Sequence, residues 1–150
     1  MELKLVPVTE HNWRQATFLT TDPEKKIPLD EQWIANNAFS LLQCCYDKDW
    51  DCRIMMDGET AVGFVFYGYD RETGHYLLCR YMIDIEHQGK GYGKEALKQG
   101  ITYLKERFAA KEIYTGVSLG NEAAKGLYKS LGFMETGLVE DGMEELKLCL

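Results

Sequence analysis

Polar and apolar residues alternate weakly over residues 4–8, which predicts a first strand; Thr9 or Asn12 then stands where a helix running towards Thr20 needs its cap. Pro23 and Pro28 make residues 21–30 a loop. From Glu31, the apolar residues Ile34, Ala38, Leu41, Leu42 and Cys45 recur at helical spacing and predict a second helix to about Tyr46. Residues 52–56 and 60–69 are strand-like runs joined at Asp57-Gly58, a two-residue hairpin signal, and Gly63 inside the second run marks a bulge or a close backbone approach. Residues 76–85 form another strand, and Leu97, Ile101, Leu104 and Phe108 are the buried stripe of a long helix. After a strand over 112–118, Asn121 or a neighbour opens a helix with Ala124, Leu127, Tyr128 and Leu131 on one face, and Gly132 ends it. Two last strands, 133–139 and 143–150, meet at Asp141-Gly142. The order is βααβββαβαββ, an α+β fold with a mixed sheet and helices on both faces.

The chain is 150 residues long, 45% hydrophobic and 27% charged, with no low-complexity stretch; residues 1–150 are expected to form a single domain. No apolar run nears the roughly 18 residues of a membrane span, and the amino terminus lacks the apolar segment of a signal peptide, so a cytoplasmic protein off the membrane is expected. Five cysteines without a Cys-x-x-Cys pair fit neither a disulfide framework nor a zinc site, and His11, His75 and His87 lack ligand spacing, so no metal is expected. A net charge of -7 weighs against nucleic acid and favours a cationic or neutral partner. Asp47, Asp49 and Asp51 are either part of an acidic rim for such a partner or a solvated loop.

The most informative stretch is Gln88-Gly89-Lys90-Gly91-Tyr92-Gly93-Lys94, between a strand and a helix. Three glycines there let backbone amides approach a ligand, and the helix start adds unsatisfied N–H groups and a positive dipole end, which together suit a diphosphate. A Walker A loop is excluded because Glu95 follows Lys94, and the dinucleotide fingerprint because Lys94 stands where its last glycine belongs. A plain strand-to-helix turn is the other reading of the same glycines.

Gln88-x-x-Gly91-x-Gly93 resembles the Gln/Arg-x-x-Gly-x-Gly/Ala signature of the GNAT acyltransferases. Asn121 and the later Tyr128-Lys129-Ser130-Leu131-Gly132-Phe133 are similar to that family's second landmark, an Asn after the fifth strand and a Tyr-x-x-x-Gly-Phe closing the next helix. The likeness in motif order spans about residues 52–135. Within the superfamily, Tyr67-Gly68 and Arg80-Tyr81-Met82-Ile83-Asp84 are similar to bacterial spermine/spermidine (diamine) acetyltransferases.

The resemblance implies a GNAT-like mixed, mostly antiparallel sheet and an acetyl-CoA-dependent N-acetyltransferase acting on a primary amine, a polyamine or diamine foremost. It implies that the backbone of Tyr81, Met82 and Ile83 pairs with the pantetheine arm, and that Gln88, Gly89, Lys90, Gly91, Tyr92, Gly93 and Lys94 hold the pyrophosphate. Asn121 would contact the cofactor or fix the bulge beside it, while its place before the helix also suits an N-cap, and both can hold; Tyr128 would act as general acid on the departing thiolate. An amine of pKa about 10.4 is neutral only about once in 2,500 at pH 7, so a base is required in principle; Glu31, Asp84 and Glu86 are the candidates. Two other functions stay open. One is acetylation of a protein lysine or N-terminus, although N-terminal acetylating relatives carry a glutamate where this chain has Gly116. The other is a non-catalytic acyl-CoA sensor. Relatives that dimerise through terminal strands make a homodimer possible, and the apolar ending 146–150 permits one.

Overall fold

The computed structural model describes residues 2–21 and 37–150. Most of the loop expected at 21–30, the first half of the helix expected from Glu31, and Glu31 itself lie outside them. The described elements follow the chain order read above. They are β1 (Leu3–Pro7), α1 (Trp13–Phe18), α2 (Asn37–Tyr46), β2 (Trp50–Asp57), β3 (Thr60–Asp70), β4 (His75–Ile83), α3 (Tyr92–Phe108), β5 (Glu112–Ser118), α4 (Glu122–Lys129), β6 (Met134–Glu140) and β7 (Met143–Cys149), with a single 3-10 turn at Ile85–His87. The strands form one sheet in the order β1-β2-β3-β4-β5-β7-β6. Every neighbouring pair is antiparallel except β4–β5, which is parallel.

Period-two alternation splits the strand residues between two cores. Val62, Val65, Tyr67, Leu78, Ile113, Val117 and Leu146 pack against Ala96, Leu97 and Leu104 of α3 and Tyr128 of α4. Cys52, Ile54, Phe64 and Phe66 point the opposite way, towards Ala16 of α1 and Leu41 and Cys44 of α2. Helices therefore cover both faces, but α1 and α2 pack over β2 and β3 and, among the described residues, leave that face of β5, β7 and β6 without a helix.

Four local expectations are corrected. The β2–β3 hairpin turns at Gly58-Glu59, one position later than expected, because Asp57 still pairs with Thr60. Asn12 sits at the start of α1 without capping it; its Oδ1 accepts from the Thr9 N–H at 2.7 Å and its Nδ2 donates to the Pro7 carbonyl at 2.9 Å, so it closes the preceding turn instead. In α2 the buried positions are Asn37 and Ser40, with Leu42 60% exposed. That rotation is possible because the polar Asn37 is satisfied inside, donating to the Ala16 carbonyl at 2.9 Å. Finally, β7 is an interior strand with Leu146 and Leu148 in the core; the sheet edge on that side is β6, where Met134, Leu138 and Val139 are exposed.

Gly63 shows both features its position suggested. Met55 pairs with Gly63 but Met56 with Ala61, which bulges Val62 out of register. A Cβ on Gly63 would lie 2.5 Å from the Met82 carbonyl oxygen, so only glycine lets β3 and β4 approach there.

Candidate active site

The site grows from a fault in β4. Phe66 pairs with Arg80 and Tyr67 with Leu78, leaving Cys79 as a bulged residue. A bulge re-aims its strand, and β4 pairs with β5 only at Leu77↔Tyr114 before the two part. One side-chain rung extends the seam, the Thr115 Oγ1 donating to the Leu78 carbonyl at 2.8 Å. Beyond it, the β5-facing edge of β4 through Tyr81, Met82 and Ile83 is an unpaired strand edge inside a molecule, a ready partner for an amide-bearing arm.

At the far end of that edge the chain makes its 3-10 turn and reaches the glycines. Gly89 and Gly91 have φ of +74° and +83°, the left-handed region that favours glycine. Gly91 precedes the first residue of α3 and carries no side chain to cap it, so the first-turn N–H groups are open to an anion. Gln88 reaches back, its Nε2 donating to the Ile83 carbonyl at 3.1 Å, which ties the turn to the end of β4. Gly89, Lys90 and Gly91 are exposed, and so is Lys94. Tyr92 is different: its ring is buried and its hydroxyl donates to Asp57, so only its backbone faces the turn. A Cβ on Gly93 would lie 3.2 Å from the Tyr81 hydroxyl, which donates to the Gly93 carbonyl and fixes the helix start against β4.

Tyr128 lies in the core beside the split, 6% exposed, its ring 5.2 Å from that of Phe133 and 6.4 Å from that of Tyr81. Burial pushes its phenol up to about 12, while the Thr115 hydroxyl pulls in the other direction. The group is therefore a neutral donor across the physiological range. Its helix is held at its start and at its middle. Asn121 accepts the Ala124 N–H at 3.1 Å as a helix cap, and Lys125 pairs with Glu135 at 2.7 Å and Glu144 at 2.9 Å on β6 and β7. Lys125 and then Lys129 hold the Glu135 carboxyl down at about 2.

The candidate bases fall elsewhere. Asp84 Oδ2 accepts the Thr20 N–H at 2.8 Å and Oδ1 the Glu86 N–H at 3.0 Å, while the Asp84 N–H donates to Val62. It is a clamp between α1, the β3 bulge and the 3-10 turn, with both oxygens engaged. Asp84 also sits just past the glycine-turn end of β4, five residues from the bulge, about 17 Å along an extended chain, and Glu86 lies beyond it on the 3-10 turn. Asp84, Glu86 and His87 do bring one ligand atom each within 4.8 Å of one another, but the Asp84 oxygens already serve backbone amides.

What the sequence reading missed is the cavity at the bulge. A pocket of about 340 Å³ opens on the sheet face away from α3 and α4. Leu77, Leu78 and Cys79 of β4, Tyr114, Thr115 and Gly116 of β5, and Leu138 and Met143 line it, and Glu140, Asp141 and Glu145 add carboxylates. Thr136 donates to Glu145 Oε1 at 2.8 Å; among the described residues, Glu140 and Asp141 form no ion pair. The acidic run 47–51, by contrast, is spent locally: Asp49 pairs with Arg71, Asp51 with Arg53 at 2.9 Å, and Asp47 accepts the Asp49 N–H at 3.0 Å. The alternation of Leu138-Val139-Glu140 gave no hint, since β6 joins this cavity only through the sheet order.

An open strand edge, a helix start with free N–H groups and a buried phenol disposed along one parting of β4 and β5 suit an acyl-CoA-dependent acyltransferase. The chain belongs to the acetyltransferase (GNAT) family, which it matches over residues 8–133. It is 36% identical over 141 residues to the spermine/spermidine N(1)-acetyltransferase of Bacillus subtilis (strain 168), covering 84% of this chain and 91% of the relative. Its fold is shared by the spermidine N-acetyltransferase of Vibrio cholerae crystallised with CoA and spermine, at TM-score 0.78 and 20% identity over 98% of this chain and 95% of that one. It is shared equally by the PaiA N-acetyltransferase of Thermoplasma acidophilum in complex with coenzyme A, at TM-score 0.78 and 14% identity over the whole of both chains.

Proposed function

We propose that this chain transfers the acetyl group of acetyl-CoA to a primary amine of a polyamine or diamine, in the cytoplasm. The observation that carries the substrate class is the pocket at the bulge: an apolar floor of Leu77, Leu138 and Met143 beneath the carboxylates of Glu140, Asp141 and Glu145. A polyamine has the same division, methylene segments between ammonium groups, so its chain lies on the floor and its charges meet the rim. The name of the 36% identical relatives supports the same class.

The protein's own groups divide the work by position. The amides and lysines of residues 89–94 take the pyrophosphate, Gln88 holds that turn on β4, and the open backbone of residues 81–83 aligns the pantetheine arm, so the thioester is delivered to the bulge. Acetyl-CoA supplies an activated acyl group. Tyr128 gives its proton to the sulfur as the C–S bond breaks, and the amine loses its proton to solvent past the acidic rim. That rim favours the ammonium form, so it contributes binding while making deprotonation depend on pH. Asn121 acts as the cap of α4.

The rival substrates are less well served. Where a glutamate is expected for N-terminal acetylation, a side chain at Gly116 would begin 3.2 Å from the Met143 Cε, so the glycine keeps the pocket open. A sensor would not need a buried phenol at the split. A second copy pairs along the exposed β6 edge; a strictly monomeric sedimentation profile removes that part of the reading. The substrate assay is thiol release from acetyl-CoA with spermine, spermidine, putrescine, lysine peptides and N-terminal peptides. Turnover confined to the polyamines and diamine is expected, and turnover on peptides with silence on polyamines overturns the proposal.

A further inference from the structure

The glycine turn has to hold its amides in one arrangement before an anion arrives, and its composition works against that. Gly89 and Gly91 carry no side chain, a Cβ on Gly89 would meet nothing within 4 Å, and Lys90 and Lys94 are exposed. Glycine loses more conformational freedom on ordering than any other residue, so such a turn binds well only when it is anchored from outside. Between Gly89 and Lys94, Tyr92 alone has a buried side chain, and it is the first residue of α3.

Two anchors come from β4: Gln88 Nε2 donates to the Ile83 carbonyl at 3.1 Å, and the Tyr81 hydroxyl donates to the Gly93 carbonyl. A third comes from the other side of α3. Asp57, 35 residues before Tyr92, ends β2 in register with Leu3 of β1 and Thr60 of β3. Its Oδ2 accepts the Tyr92 hydroxyl and its Oδ1 accepts the Glu2 N–H at 3.1 Å. Both oxygens are engaged. The Tyr92 hydroxyl, then the Glu2 N–H, hold the carboxyl below its ordinary value, so the acceptor is charged at neutral pH and the bond to Tyr92 is charge-assisted. Further along α3, Gln99 ties the helix to the same edge of the sheet: its Oε1 accepts the Leu5 N–H and its Nε2 donates to the Leu3 carbonyl, each at 3.1 Å. The helix is thus held to β1 and β2 at two points, and Asp57 is the tie at its first residue.

We propose that Asp57 is a positioning residue for the diphosphate site: by holding the Tyr92 hydroxyl it sets where α3 begins, and with it the amides of residues 89–94 that receive the pyrophosphate. Its charge by itself would oppose an anion, so its two effects on binding have opposite signs. This role rests on the reading of the turn as the pyrophosphate site of acetyl-CoA.

The experiment compares acetyl-CoA with S-acetylpantetheine, which carries the thioester and the pantetheine arm without the nucleotide and its diphosphate. Asp57→Ala is expected to lower kcat/KM for acetyl-CoA about tenfold through KM, and that for S-acetylpantetheine by less than about twofold. Asp57→Asn keeps a neutral acceptor for Tyr92 and is expected to lose about threefold or less with acetyl-CoA; it also serves should the alanine variant fold poorly, which circular dichroism reads. Calorimetry with CoA should show the same losses without turnover. With acetyl-CoA, Asp57→Ala placed on Tyr92→Phe should cost less than about twofold more, since the two groups act as one unit. An equal loss with both thioesters, independent losses in the double variant, or tighter CoA binding in Asp57→Ala overturns the proposal, the last because the carboxylate would then act by its charge alone. Equal kcat/KM of the native protein for the two thioesters overturns instead the reading on which it rests.

Discussion

Removing the Tyr128 hydroxyl tests the chemistry with little disturbance to the fold. The ring of Tyr128→Phe keeps its edge contacts to Phe133 and Tyr81, and α4 keeps its Asn121 cap and its Lys125 ion pairs. The phenol stands at about 12, while a free thiol reference is about 8.5. Complete transfer before the C–S bond weakens is therefore uphill by about 5 kcal/mol, and the useful contribution is a hydrogen bond that strengthens as charge develops on sulfur. A hydrogen bond to a charged group contributes about 1.5–3 kcal/mol, so kcat should fall about 10- to 150-fold. Affinity for CoA should change by less than about twofold, since the proposed pyrophosphate and strand-edge contacts are made by backbone amides and not by this hydroxyl. Thiol release at saturating acetyl-CoA and spermidine gives the first quantity and titration calorimetry the second. A kcat within about twofold of the native value would refute the acid role; a joint loss of kcat and CoA affinity would show that the hydroxyl serves binding instead.

Gly91→Val forces a branched residue to a φ of +83° at the start of α3 and should weaken CoA binding at least about tenfold with the rest of the fold retained; calorimetry and circular dichroism check it. Neutralising the rim with Glu140→Gln and Glu145→Gln should raise KM for spermidine about tenfold or more and flatten its salt dependence, with KM for acetyl-CoA unmoved, in steady-state assays at two ionic strengths. The Tyr128 phenol binds its proton more tightly folded than unfolded, so the stability it contributes is whole below pH about 10 and is lost as pH rises from about 10 to 12. Tyr67 and Tyr81 are shifted upward by burial too, so the comparison is of native protein with Tyr128→Phe. Urea denaturation across that range should show a steeper decline for the native protein, by about 3 kcal/mol in total.

Local rules carried a large share of this molecule. Alternation in β3 and the stripe of α3 follow from burying apolar side chains on two periodicities, so element order was legible. Glycines at 89 and 91 before a helix, and Gly93 in its first turn, were legible as a turn with open amides because backbone conformation and helix ends are short-range properties. Asn121 as cap and Tyr128 on the inward face of α4 also follow from spacing within one helix. Expectations that rested on charge or proximity fared otherwise. Asp84 reads as an available carboxylate until the backbone amides of Thr20 and Glu86 are folded against it, and the choice between rim and solvated loop for the run 47–51 is made only when Arg71 and Arg53 pair with two of its members.

The chain's sequence by itself determined the elements, the glycine turn and the placing of the phenol, because each depends on residues a few positions apart. Tertiary structure alone decided the pocket. Its floor and rim come from β4, β5, β6 and β7, and β7 enters between β5 and β6 so that Glu145 stands opposite Gly116. The bulge at Cys79 then parts β4 from β5, with Thr115 as the last contact at the seam. Which carboxylates face that opening depends on strand order and register, and a shift of one residue would turn every one of them to the other face.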